Sequence, residues 1–205
     1  METLSEVLEE QVQDVYNAEN QLIKAMPKMA KKASTPELKE AFTMHLEETK
    51  VHAERLSQVA KLLGIKPTGK VCAAMKGLVE EGSEVLEEEG KNAAIDAALI
   101  AAAQRVEHYE MAAYGTMRSL AEVLGHDQVV ALLDETLEEE KAADAKLTEV
   151  AEQNVYPGAP KHDGEEEEEE DEEEDAVSSK GKSKGSSKSS ATLAQKSGGT
   201  KKKTR

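Results

Sequence analysis

Apolar residues return in steps of four and three along four long stretches of the chain, the period of a helix that buries one face. Leu8, Val12, Val15, Leu22 and Met26 form the first seam, and Leu38, Phe42, Leu56 and Val59 the second. Leu99, Ala103, Val106, Ala113 and Met117 form the third, and Val129, Leu133, Ala143, Leu147 and Val150 the fourth. Stop signals separate them. Ser34-Thr35-Pro36-Glu37 reads as a helix start, with Pro early in the helix and Glu placed for a capping box. Gly64 reads as the residue after a helix end, and Gly125-His126-Asp127 as a second break. The pattern predicts helices over 3–33, 36–63, 92–124 and 127–154, the first kinked at Pro27. Short links make each consecutive pair an antiparallel hairpin. The link over 64–91 is long enough to cross a bundle, and AMKGLVEEGSEVLEEE within it predicts a short extra helix. The fold class is therefore all-α: a four-helix bundle with one long crossover.

The chain also repeats itself. LEETKVHAERL (46–56) returns 91 residues later as LEEEKAADAKL (137–147), and the same shift lays the first helix on the third and the second on the fourth. Identical residues occupy positions 8/99, 15/106, 19/110, 26/117, 56/147 and 59/150, all on the apolar seams. This is a duplicated helical hairpin, in the ferritin-like order of short, long and short connections.

Composition agrees with helices. Ala, Leu, Glu and Lys dominate, there is no Trp, and there is one Phe. A single cysteine, Cys72, excludes an intrachain disulfide and any four-cysteine metal site. The N-terminus has no basic region followed by an apolar run, and no segment approaches the roughly 18 apolar residues of a membrane span, so the chain reads as cytoplasmic with no membrane partner. After Pro157 the character changes, with eleven consecutive acids from Glu165 to Asp175 and then a Lys/Ser/Gly stretch. Such a segment buries too little apolar surface to offset its ordering entropy. The expected division is a bundle over 1–156 and a disordered tail over 157–205. The tail is read as a solubilising polyampholyte in preference to a Lys-mediated nucleic-acid contact. It holds 12 acids and 10 bases, so the bundle keeps 30 of the 42 acids and 16 of the 26 bases. A surface that acidic argues against nucleic-acid binding by the bundle.

All four seams are interrupted near mid-bundle by residues able to bind metal. The first helix offers Glu19; the second offers His52 with Glu48 one turn before it; the third offers Glu107 and Glu110; the fourth offers Glu140 and Asp144. Buried carboxylates facing one another repel and take up protons unless a cation stands between them. Carboxylates with a minority of imidazoles suit iron or manganese, and this many ligands suits two ions. His45 also lies on the seam and is read as a core histidine rather than a ligand. Glu139 is the repeat mate of Glu48, but seam phase favours Glu140 at that level. Tyr16, Tyr109 and Tyr114 lie near the same level and are read as core fillers in preference to electron carriers. Glu80, Glu81 and Glu87 to Glu89 are read as a solvated face.

YNAENQL (16–22), HLEETKVHAERL (45–56), CAAMKGLVEEG (72–82), RVEHYEMAAYG (105–115) and TLEEEKAADAKL (136–147) together resemble the ferritin-like stress-protein family that includes YciF and YciE of enteric bacteria. The likeness covers residues 3–154. It implies a ferritin-like bundle, a homodimer, and a site similar to the dinuclear centre of rubrerythrins, with Glu19, Glu48, His52, Glu107, Glu110, Glu140 and Asp144 as metal ligands. The chain departs from the wider pattern. The usual Glu-x-x-His pairs are absent: Glu48 and His52 are four apart, and the fourth helix has Asp144 where a histidine is expected. No cysteine pairs supply a rubredoxin-type iron. Three functions stay open: a dinuclear iron or manganese enzyme acting on Fe(II), oxygen or peroxide; a non-catalytic metal-binding or scaffold stress protein working through its acidic surface and tail; and a metal-free bundle.

Overall fold

A computed structural model describes residues 1–161; the expected tail falls almost wholly outside them. Five α-helices run over Leu4–Lys32 (α1), Pro36–Leu63 (α2), Ala73–Glu87 (α3), Ala93–Val123 (α4) and Asp127–Val150 (α5). A π-helical turn over Ala151–Val155 and a 3-10 turn over Tyr156–Gly158 carry the last helix slightly further. No helix among the described residues is long and apolar enough to cross a membrane.

The four long helices close a ring in the order α1, α2, α5, α4, each touching the next. The residues that meet at the two ends show how they run. At one end Leu8, Val12 and Val15 of α1 pack with Leu56 and Val59 of α2, Ala113 and Met117 of α4, and Val129 and Leu133 of α5. At the other end Leu38 and Phe42 pack with Leu99, Ala103, Leu147 and Val150. Every neighbour in the ring is therefore antiparallel, and α2 and α4 point the same way across the diagonal. That geometry requires the long crossover. Within it α3 packs along α1 and α4, burying Met75 and Gly82. The crossover's glutamates at 80, 81 and 87 to 89, in α3 and just past its end, are exposed, as the sequence implies.

The repeat acquires a physical meaning here. Leu8 and Leu99, Val59 and Val150 are mates at a spacing of 91, yet the members of each pair sit at opposite ends of the bundle. The two hairpins are thus related by a pseudo-twofold axis through the middle, where Glu19 and Glu110 meet.

Helix α1 runs through Pro27 to Lys32, as the sequence implies, with the proline removing one donor. One local expectation changes. The capping box over 34–37 does not form. Thr35 is the N-cap of α2, but its hydroxyl makes no cap bond. Instead the fully buried Asp96 carboxylate in the first turn of α4 accepts from Ser34 N–H at 2.8 Å, Ser34 Oγ at 2.7 Å, Thr35 N–H at 2.7 Å and Thr35 Oγ1 at 2.6 Å. A charged acceptor for four donors outcompetes a single capping bond. It also ties the first hairpin's turn to the second hairpin. Glycine is needed at Gly64 and Gly125, where φ is 71° and 74° and the chain leaves α2 and α4.

Burial acts to raise the Asp96 carboxyl, but the Thr35 and Ser34 bonds outweigh it and hold the group below the ordinary range. A depressed folded value stabilises above the unfolded value of about 3.9 and is lost as pH falls through the folded one. Asp96→Ala should lower unfolding free energy at pH 7 by about 2 kcal/mol, because charge-assisted bonds are lost while exposed Ser34 regains water. Urea titrations should show the gap closing below about pH 4; a gap that persists unchanged there would show that the carboxylate's charge plays no part.

Candidate metal centre

Six side chains converge at the level of the pseudo-axis. His45, Glu107, Glu110 and Glu140 each offer one donor atom, all within 4.8 Å of one another, and Glu19, His52 and Glu140 do the same. Glu140 belongs to both groups. Glu19, His52 and Glu140 are wholly inaccessible, and Glu107 and Glu110 nearly so. Helical phase explains the convergence. Each residue sits on its helix's apolar seam, one to two turns from leucine, valine or methionine that face the same interior.

Hydrogen bonding leaves these groups unsatisfied. Eight buried side-chain atoms have no hydrogen-bond partner: Glu19 Oε2, His45 Nε2, His52 Nδ1, Glu107 Oε2, and both oxygens of Glu110 and of Glu140. They are all such atoms among the described residues, and they belong to these six side chains. His52 Nδ1 stands 2.9 Å from Glu140 Oε1, and His45 Nε2 stands 3.4 Å from Glu107 and 3.6 Å from Glu140, without hydrogen-bond alignment. Each orphan costs about 1–3 kcal/mol. Eight of them rival the roughly 5–15 kcal/mol that stabilises a whole domain.

Electrostatics points the same way. Burial and then Glu140 push the Glu19 carboxyl up to about 8. Burial, followed by neighbouring carboxylates, raises Glu110 well above the ordinary range, and burial raises Glu107 against the opposing pull of His45. Burial, the largest influence on His45, favours the neutral ring, but Glu107, Glu48 and Glu140 together raise it to about 10. Protons thus substitute imperfectly for positive charge. Cations held among these donor atoms would take up orphaned lone pairs and relieve the repulsion.

Around the cluster, other side chains aim the ligands. Glu48 is exposed and bonds His45 Nδ1 at 3.2 Å, which turns Nε2 inward. Glu139 meets His52 Nε2 at 3.0 Å, which turns Nδ1 inward. The repeat mates Glu48 and Glu139 therefore do the same work for two histidines, and a carboxylate behind an imidazole is how metal-binding rings are fixed. Glu139 is gripped in turn by the buried Arg55, which donates to both its oxygens, to Glu135 at 3.0 Å and to Thr136 at 2.9 Å. The Arg55 bonds, more than the burial that opposes them, hold Glu139 below the carboxylate range. Tyr114, fully buried, donates to Glu19 Oε1. Tyr109 instead donates to Asp14 at 2.5 Å and lies 3.0 Å from Cys72 Sγ. Tyr16 is a partly buried core residue.

Of the seven ligands expected from the sequence, the structure brings together Glu19, His52, Glu107, Glu110 and Glu140. Glu48 stands behind a ligand instead of among them. Asp144 lies outside, accepting from Gln104 at 3.1 Å and standing 3.5 Å from exposed His108. The register explains it: the mate of His52 is Ala143, and Asp144 is one residue round the helix, off the seam. The residue under-read is His45 of α2, which brings a second imidazole to the cluster. Its place on the seam between Phe42 and Thr49 was the available signal. Arg55 was missed because a helical arginine carries no mark of burial.

A ring of four antiparallel helices with one crossover and a carboxylate-histidine cluster at its centre defines a ferritin-like bundle. The family described as Domain of unknown function (DUF892) matches residues 3–159, and the chain belongs to that family. It is 50% identical over 156 residues to Protein YciF of Escherichia coli (strain K12), covering 76% of this chain and 94% of that protein. The crystal structure of the E. coli stress protein YciF superimposes with a TM-score of 0.73 over 76% of this chain and 98% of that one. YcfI, a putative structural protein from Rhodopseudomonas palustris, is 47% identical with a TM-score of 0.69 over 72% of this chain and 94% of that one. A ferritin-like, diiron-carboxylate protein from Bacillus anthracis str. Ames shares the fold at 18% identity, with a TM-score of 0.57 over 74% of this chain and 99% of that one.

The geometry separates ligands from the groups that aim them. In cobalt(II) titrations followed by visible absorption, Glu48→Gln should keep the stoichiometry and weaken affinity by about tenfold or more. Asp144→Asn should leave both unchanged. Loss of a cobalt equivalent in Asp144→Asn would restore that residue to the ligand set.

Proposed function

We propose that the chain is a metal-binding stress protein. Its six-residue cluster would hold two iron or manganese ions, with Glu140 common to both donor groups, and would act on Fe(II), oxygen or peroxide. One observation carries this reading: every buried, unpartnered side-chain polar atom among the described residues belongs to that cluster. The donor set of four carboxylates and two imidazoles fits these metals better than zinc or calcium. Two such ions, when bound, supply two-electron exchange with an oxidant.

The chain's own residues supply the rest. Glu140 belongs to both donor groups and would be shared between two ions, with His45, Glu107 and Glu110 available to one and Glu19 and His52 to the other. Tyr114 anchors one Glu19 oxygen and leaves the other free to bind. Glu48 and Glu139 fix the histidine tautomers, and the apolar clusters above and below exclude bulk water. The reading includes the homodimer that the family resemblance implies. A second reading, a non-catalytic metal-binding or scaffold role, draws support from the relative described as a putative structural protein.

The test is metal content by mass spectrometry on the full chain, expressed with iron and manganese supplied, beside Glu110→Ala. About two ions per chain more in the wild type than in the variant, with helicity equal by circular dichroism, is expected. Equal content in both would refute the site. Oxygen or peroxide consumption above that of free iron, abolished in Glu110→Ala, separates the enzyme from the scaffold.

A further inference from the structure

Beside the cluster, between α1, α2, α4 and α5, lies a cavity of about 520 Å³. Its inner end is formed by His45 and Glu107, two of the candidate ligands, and its walls include Leu22, Met26, Phe42, Val106 and Leu147. A water occupies about 30 Å³ of liquid, so dioxygen or peroxide needs only a small fraction of this space. Cavities of roughly 300–1,000 Å³ with apolar walls and a few convergent polar groups are those that hold small organic molecules.

The repeat shows that this side is not a copy of the other. Ala143 and Ala103 line the space, where their repeat mates 91 positions earlier are the larger His52 and Val12, both wholly buried. Leu22, Phe42 and His45 on the same lining are in turn larger than their mates Ala113, Leu133 and Thr136. Fully packed cores do not keep such gaps by default.

Charge narrows the occupant. The polar groups on the lining include Glu37, Glu40, Glu48 and Glu139 against two cations, Lys146, whose ammonium is paired with Glu149 at 2.9 Å, and His45, which its carboxylate neighbours hold in the charged form. An anion would meet net repulsion.

We propose that this cavity is a binding pocket for a neutral, largely apolar organic molecule whose inner end lies against His45 and Glu107. The proposal deepens the dimetal reading by giving that centre an organic substrate class, and it rests on that reading for any chemistry done on the molecule, though not for the binding. The metal-loaded full chain should bind the neutral probe N-phenyl-1-naphthylamine saturably, one per chain. It should bind anionic 8-anilinonaphthalene-1-sulfonate about tenfold more weakly. Ala143→Leu and, independently, Ala41→Leu at the outer wall should each weaken the neutral probe by about tenfold. Metal content and melting temperature should not change. Absence of saturable binding, or binding that neither variant weakens, would overturn the proposal. So would conversion of a dimer to monomers by the variants in sedimentation velocity, which would make the cavity a seat for a second copy. If the protein carries no metal yet binds the probe in a manner sensitive to Ala143→Leu, the pocket stands and the dimetal reading falls.

Discussion

Four glutamates and two histidines, packed inside a helical bundle with eight polar atoms left over, set the terms for everything around them. Carboxylates so placed repel one another, burial makes Glu19, Glu107 and Glu110 resist ionisation, and desolvating such groups would consume much of a domain's stability. The rest of the bundle holds them there regardless. Two apolar clusters cap the site at either end, while Arg55, Tyr114, Glu48 and Glu139 clamp its members from outside. A structure that commits this much packing to groups it cannot satisfy is built around something that satisfies them.

Duplication explains both the symmetry of the site and its breakage. The shift of 91 residues pairs Glu19 with Glu110 and Glu48 with Glu139, and each pair does one job twice. The histidines do not follow the rule. His45 is matched by Thr136 and His52 by Ala143, so both imidazoles come from α2 and none from α5. Thr136 takes a hydrogen bond from Arg55, and Ala143 leaves space. One hairpin carries both imidazoles, and at the matching positions the other carries a threonine that joins the Arg55 clamp and an alanine that lines the cavity. Asymmetry of this kind gives the two donor groups different surroundings: His45 and Glu107 of one line the cavity, while Glu19 and His52 of the other do not.

Much of this was legible before the coordinates. Periodic seams locate the four long helices to within a few residues, because burial of one face imposes a period that no other element shares. The interruption of those seams by acids marks the site's level, since a charge on a buried face needs a reason. Where the sequence was less legible, the reason is common. Spacing along one helix makes Glu48 and Asp144 candidates beside their neighbours, but a spacing of three or four does not say which side of a 100° step faces the interior. The capping box at 34–37 failed for a related reason. Asp96 lies some sixty residues away in sequence, and no local pattern announces that its carboxylate will take four donors from that turn. His45, Arg55 and the cavity depend on which helices become neighbours.

The most direct measurement is anomalous X-ray diffraction from crystals of the full chain, recorded on both sides of the iron and manganese absorption edges. The account predicts two anomalous peaks about 3.5–4 Å apart, one bounded by His45, Glu107, Glu110 and Glu140 and the other by Glu19, His52 and Glu140. A well-ordered bundle with no peak at that level, or with ions only among surface carboxylates, would contradict it.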